Sequence, residues 1–138
     1  MRTVQTRFGD VKYHPDKTVL FPKGLLGFES LREFMVMPAE SDDPVVCLQS
    51  LEDPQVAFLL VDPQLYFPEY WIDVGEQEAQ VLGMDQDEGY SILTMITVHP
   101  DQSITLNLVA PVIYAPRTQR ALQIVLENTE YSVRTRIP

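Results

Sequence analysis

The sequence predicts an all-β, mainly antiparallel fold: a small single-domain, β-barrel-like structure spanning residues 1–138 with one or two short helices. Three observations predict it. Apolar and β-branched residues come in short runs separated by turn-formers, a spacing of sheets rather than helical bundles. Eleven prolines punctuate the chain. Pro38, Pro44, Pro54, Pro63, Pro68, Pro100 and Pro116 fall between runs or at their ends, where a missing backbone donor costs no ladder hydrogen bond. The third observation is a hairpin signal, in which Ser91–Val98 and residues 103–110 are joined by His99, Pro100, Asp101 and Gln102. A four-residue loop carrying Pro and Asp suits a type I turn.

In chain order, the strand candidates are residues 3–8, 18–21, 34–37, 45–51, 56–61, 91–98, 103–110, 121–126 and 131–137. Along 103–110, Ile104, Leu106, Leu108 and Ala110 alternate with Thr105, Asn107 and Val109, which buries one face. Leu122, Ile124 and Leu126 likewise alternate with Gln123, Val125 and Glu127. Helix is scarce. Residues 29–33 can form one turn after Gly27, and Glu76–Leu82 another, with Ala79 and Leu82 inward and Gly83 as its C-terminal stop.

The length suits one domain that buries about two-thirds of the surface its unfolded chain exposes. Charge is distributed unevenly. Between Glu33 and Pro116, 84 residues contain no Lys or Arg yet hold 15 of the chain's 20 Asp and Glu, and the formal net charge is −10. Such a field repels phosphate backbones and attracts basic protein surfaces, so direct nucleic-acid binding is not expected. Solubility alone is the other reading of the acidity. The N-terminus carries no apolar signal core and no 18-residue apolar run exists, so the expected location is the cytoplasm, away from membranes. Cys47 is the only cysteine, which excludes an intramolecular disulfide and a thiolate metal cluster.

Catalytic motifs are absent from the sequence. His14 and His99 stand in turns without a nucleophile elbow or metalloprotease context. Asp85, Asp87 and Glu88 before Gly89 resemble a calcium loop but fail its register, since Tyr90 and Ile96 occupy the positions of the glycine and the bidentate Glu. The loop at 24–27 lacks the Lys-Ser/Thr of a phosphate cradle. No cofactor or metal is expected. Tyr66, Phe67, Tyr70 and Trp71, flanked by Asp62, Glu69 and Asp73, admit two readings: rings alternating into the core, or an acid-rimmed surface for a basic or amphipathic protein segment.

Six collinear stretches resemble the FliW family of flagellar assembly factors. They are Phe21-Pro-Lys-Gly-Leu-Leu-Gly-Phe-Glu29, Leu48-Gln-Ser50, Val56-Ala-Phe58, Tyr66-Phe-Pro-Glu-Tyr70, Ile104-Thr-Leu-Asn-Leu-Val-Ala-Pro-Val-Ile113 and Gln123-Ile-Val-Leu126. Departures occur at Leu26, where Pro is common, at Cys47, where an aromatic is common, and at Tyr114, where Asn often stands. The resemblance implies a non-enzymatic protein, monomeric on its own, that binds the RNA-binding translational repressor CsrA and, alternatively, flagellin. Flagellin export would then free the protein to bind CsrA and lift repression of flagellin translation. A dedicated flagellin chaperone and a small β-barrel hydrolase are the alternatives.

Four residues are the partner-binding candidates. Glu29 follows an apolar Gly-Phe step, and Tyr70 combines a ring with a polar handle. Asn107 is polar within an apolar strand, and Pro111 interrupts an apolar run, which marks a sheet edge or bend able to receive another chain's strand.

Overall fold

The computed structural model describes residues 1–37, 42–127 and 129–138; Pro38 lies outside them. The chain opens as a hairpin of β1 (Arg2–Thr6) and β2 (Gly9–Tyr13), with Arg2 opposite Tyr13 and Thr6 opposite Gly9. The sequence reading ran 3–8 as one strand. It turns instead because Gly9 adopts φ 107 and the Thr6 hydroxyl donates to Gly9 O while accepting from Phe8 N–H.

The main sheet contains β3 (Thr18–Leu20), β4 (Glu33–Val36), β5 (Val46–Ser50), β6 (Ala57–Val61), β7 (Ser91–Val98), β8 (Ile104–Leu106), β9 (Val112–Ala115), β10 (Arg120–Gln123) and β11 (Thr135–Arg136). Their order is β11-β8-β7-β6-β5-β4-β3-β10-β9. A further pairing of β9 with β7 closes a ring of seven strands, β7-β6-β5-β4-β3-β10-β9. All pairings are antiparallel except β3 with β10, which meet at Leu20 and Arg120.

β7 makes the closure possible. Its first half pairs with β9, from Ser91↔Tyr114 to Leu93↔Val112, and its second half pairs with β8, from Ile96↔Leu106 to Val98↔Ile104. The chain therefore leaves the edge of β7 after Leu106 and returns to it at Val112. The intervening bend prevents 103–110 from forming one long strand. The hairpin turn itself follows the sequence, with Gln102 N–H donating to His99 O at 2.8 Å across Pro100 and Asp101.

β9 was not legible by alternation because both of its faces are buried. Val112 packs inside the barrel with Val19, Phe21, Phe34, Leu48, Leu60 and Ala121. Its neighbour Ile113 packs on the outside with Tyr70, Val74, Leu82, Leu106 and Leu108. A strand covered on both sides reads as a continuous apolar run. Phe21 and Phe34 meet edge to face at 5.3 Å in the inner core. The hairpin adds a third cluster, where Val4 and Tyr13 cover Met35.

Of the two expected helices one forms. α1 (Glu76–Leu82) carries Glu76 and Glu78 in its first turn, where they complement the helix dipole, and ends at Gly83 with φ 66. Residues 29–33 do not form a helix. Leu25 and Phe28 pair as an antiparallel bridge, and Glu33 begins β4, with its N–H and that of Arg32 donating to the Glu52 carboxylate at 2.7 and 2.8 Å.

The C-terminal carbonyls of α1 are capped from the β9–β10 turn. Thr118 Oγ1 donates to Leu82 O at 2.6 Å and Arg117 Nη2 donates to Gly83 O at 2.8 Å. Arg117 also grips Glu88 through Nε and Nη2 at 3.0 and 3.1 Å. That hydrogen bonding, helped by Asp85 N–H, holds the Glu88 carboxyl below its ordinary range. The resulting stabilisation is complete above the unfolded carboxylate range and is lost as pH falls through the lower folded value. Arg117→Ala is accordingly expected to lower the unfolding temperature at neutral pH, and the gap from wild type is expected to narrow near about pH 3. Parallel melts at the two pH values measure it.

Candidate functional site

The barrel mouth beside the ends of β7 and β10 collects most of the family-like stretches. Its first component is the loop at 24–29. Gly24 sits at φ 68 and Gly27 at φ 82, and Leu25 and Phe28 exchange backbone hydrogen bonds across Leu26 and Gly27. A two-residue turn with glycine at positive φ in its second position has type II geometry. Phe28 lies edge to face on Phe58 of β6 at 5.2 Å, which fastens the loop to the barrel wall. Glu29 is exposed, and its carboxylate accepts from Gly27 N–H at 3.2 Å.

The second component is the bend between β8 and β9. Asn107 Oδ1 accepts from Val109 and Ala110 N–H at 3.2 and 3.1 Å, so its side chain closes the bend instead of projecting from it. Pro111 is buried, and its carbonyl accepts from Ile124 N–H at 2.9 Å. Gln123 of β10 connects the two components. Its Oε1 accepts from Leu26 N–H at 2.9 Å while its Nε2 donates to Ala110 O at 3.1 Å. Leu26, where the resemblance leads one to expect Pro, thus uses a donor that Pro lacks.

Tyr70 requires a correction as a surface candidate. It is 0% exposed, its hydroxyl donates to Leu108 O at 2.8 Å, and its ring lies 5.0 Å from that of Tyr131. Burial pushes the phenol well above its ordinary range. Its ring and hydroxyl therefore brace the bend from beneath and are not displayed at the surface. The structure brings Glu29, Asn107 and Pro111 into the two linked components and puts Tyr70 under them. Pro111 marks a bend, as its place in the run suggested, but its backbone is paired to the continuation of β10.

The remaining aromatics divide. Tyr66 and Phe67 are half-buried against the outer core. Trp71 is 52% exposed, with its indole N–H donating to Asp73 at 3.0 Å and its ring 5.4 Å from Tyr90. Leu65 nearby in sequence is 56% exposed, and Asp62, Glu69 and Asp73 are exposed with it.

Residues that sequence reasoning passed over are Gln123 as a connector, and Arg7, Leu59 and Ile96 as mouth-lining groups. Gln123 had a visible signal, a long polar side chain between apolar strand positions. The others had none, because the mouth unites distant segments.

Outside the mouth, His99 Nε2 stands 2.8 Å from Thr105 Oγ1, a hydroxyl buried in mid-strand. Among the described residues no group of three or more His, Cys, Asp and Glu is placed to hold a metal. No described helix is long and apolar enough to cross a membrane.

The architecture is a small, mainly antiparallel closed β-barrel whose mouth is finished by a glycine turn and an Asn-capped bend. A sequence profile described as FliW protein matches residues 2–137. The flagellar assembly factor FliW of Syntrophotalea carbinolica is 45% identical over 137 residues, covering 99% of this chain and 98% of that protein. FliW of Bacillus subtilis is 30% identical over 133 residues, covering 95% of this chain and 93% of the relative. A crystal structure of the flagellar assembly factor FliW superposes with a TM-score of 0.86 at 29% identity, covering 98% of this chain and 96% of the other. The chain belongs to the FliW family of flagellar assembly factors.

Proposed function

We propose that this chain is a non-enzymatic cytoplasmic regulator that binds a CsrA-type RNA-binding repressor and antagonises it, with flagellin as the competing partner. The observation that carries the reading is the exposed pair Leu65 and Trp71 among Asp62, Glu69 and Asp73, set in an 84-residue stretch without Lys or Arg. A protein that binds RNA presents basic surface, and an acid-rimmed aromatic patch is complementary to it. A body of net charge −10 held beside that surface also lowers its local attraction for RNA. Flagellin, by occupying this protein, leaves the repressor active; its export reverses the balance.

The test is a competition assay with full-length chain, a CsrA-type repressor and labelled RNA at low and high salt. Release of RNA that fades as salt rises is the expected result, because exposed charges are screened beyond about 8 Å at physiological ionic strength. Release indifferent to salt would replace charge exclusion by a direct steric block. A lysate pull-down that recovers neither a CsrA-type repressor nor flagellin overturns the reading, and recovery of flagellin alone favours a dedicated chaperone. Glu69→Lys on its own is expected to weaken repressor binding by about 1 kcal/mol or less, as for other exposed single charges. Titration calorimetry reads that change.

A further inference from the structure

The barrel is not fully zipped. Strands β6 and β7 pair only through Leu60↔Met95 and Val61↔Thr94, although β6 begins at Ala57 and β7 continues to Val98. Each strand's other edge is occupied: Ala57 and Leu59 stand opposite Gln49 and Cys47 of β5, while Ile96 and Val98 stand opposite Leu106 and Ile104 of β8. Backbone direction follows from the bonds on those occupied edges. Met95 O accepts from Asn107 N–H and His99 N–H donates to Ser103 O, so these alternate residues point toward β8. Val98, between them in the alternation, points its N–H and C=O the other way, into the gap. Ser50 N–H donates to Val56 O, so Val56 faces β5 and Ala57 faces the gap.

The gap opens into a cleft of about 440 Å³ lined by residues 57–59 of β6 and residues 95–97 of β7, next to Val98, together with Leu25, Leu26, Asn107, Gln123 and Arg7. Among the described residues Arg7 is the only charged one lining it, in a chain whose net charge is −10. Two of its apolar lining groups are exposed, Leu26 at 55% and Leu59 at 41%, and Val98, which follows the lining residues on β7, is 59% exposed. Neither strand end carries the proline, lysine or inward charge with which proteins commonly blunt an exposed edge.

We propose that this cleft is a strand-addition site for a short extended segment of a partner protein, with alternate apolar side chains and a carboxylate that meets Arg7. Backbone hydrogen bonds to Ala57 and Val98 supply the docking, and the apolar wall formed by Leu26, Leu59 and Ile96 supplies selection for alternate side chains. Three residues on each edge span about 10 Å, enough for three or four residues of an added strand. Among the described residues the lining holds no carboxylate, which sets this cleft apart from the acid-rimmed surface around Trp71, and the inference does not depend on either partner proposed above.

The probe is an acetylated and amidated hexapeptide, Thr-Val-Glu-Val-Thr-Val, titrated into isotope-labelled full-length chain and followed by backbone amide resonances. Expected are shifts centred on Arg7, Leu26, Ala57–Leu59 and residues 96–98, and binding weakened about tenfold when alternate peptide amides are N-methylated. Val98→Pro is expected to abolish the binding while leaving the β7–β8 ladder intact, because only the gap-facing donor is removed. The glutamate-to-glutamine peptide should bind several-fold more weakly to wild type and equally to Arg7→Gln. Shifts centred on Leu65 and Trp71, binding indifferent to N-methylation, or no shift at all would overturn the proposal. Cleft resonances that move with protein concentration alone would also overturn it, assigning the cleft to a second copy of the chain.

Discussion

Tyr70→Ala is expected to destabilise the fold by about 3–5 kcal/mol, the range for removing a large buried aromatic side chain. The ring is 0% exposed and packs in the cluster shared by Val61, Leu82, Leu106, Leu108 and Ile113. Those residues come from β6, α1, β8, the bend and β9, so the cavity would lie where helix and barrel meet. Tyr70→Phe separates the hydroxyl from the ring. It keeps the packing but leaves the buried Leu108 carbonyl without the donor now 2.8 Å away, a loss of about 1–3 kcal/mol. Urea unfolding of the three proteins measures both steps. A Tyr70→Phe variant as stable as wild type would show that the hydroxyl does not brace the bend.

Tyr70 also shows where the sequence ceased to be readable. Its segment, Tyr66-Phe-Pro-Glu-Tyr70-Trp71, places rings at irregular intervals without the period of a strand or helix, so burial could not be assigned from spacing. The buried ring and the exposed one turned out to be adjacent in sequence. By contrast, the hairpin from Ser91 through Leu106, helix Glu76–Leu82 and the strands at Val46–Ser50 and Ala57–Val61 were legible because each has local turn chemistry or flanking prolines and glycines. β9 escaped because the two-faced burial of Val112 and Ile113 erases alternation. The helix expected at 29–33 failed because Glu29 spends its carboxylate on Gly27 N–H and Glu52 captures the next donors, Arg32 and Glu33.

For the candidate site, sequence identified Asn107 and Pro111 as oddities in an apolar run, and both lie in the bend that finishes the mouth. It could not identify their neighbours. Gln123 stands 97 residues from Leu26 along the chain, and the bond between them exists only because β10 runs beside β3 in the closed barrel. Ring closure is a property of the strand order, and no local pattern encodes it. The unpaired ends of β6 and β7 were invisible for the same reason, since each reads as an ordinary strand until its partner's register is known.

Gly24→Ala is expected to disrupt the mouth with little damage to the barrel behind it. The residue sits at φ 68, and a Cβ there would meet Glu29 O at 2.5 Å and Glu29 Cα at 2.6 Å, both backbone atoms. The left-handed conformation alone costs a non-glycine residue about 1–2 kcal/mol. Because backbone cannot swing aside as a side-chain tip can, the loop must also open, which pulls Phe28 from Phe58 and Leu26 from Gln123. The combined loss is expected to exceed about 2 kcal/mol. Gly27→Ala provides the control. It shares the positive φ, at 82, but among the described residues no atom beyond its chain neighbours lies within 4 Å of its added Cβ, so only the same conformational cost of about 1–2 kcal/mol remains. Amide exchange should then show protection lost at Leu26 and Phe28 in Gly24→Ala while residues of β4 and β5 keep theirs, with much weaker changes in Gly27→Ala. Equal losses in the two variants would mean that the close approach of Gly24 to Glu29 does not fix the loop. Barrel amides exchanging in step with the loop would mean that the mouth and the barrel unfold as one unit, and that the loop cannot be altered without destabilising the whole protein.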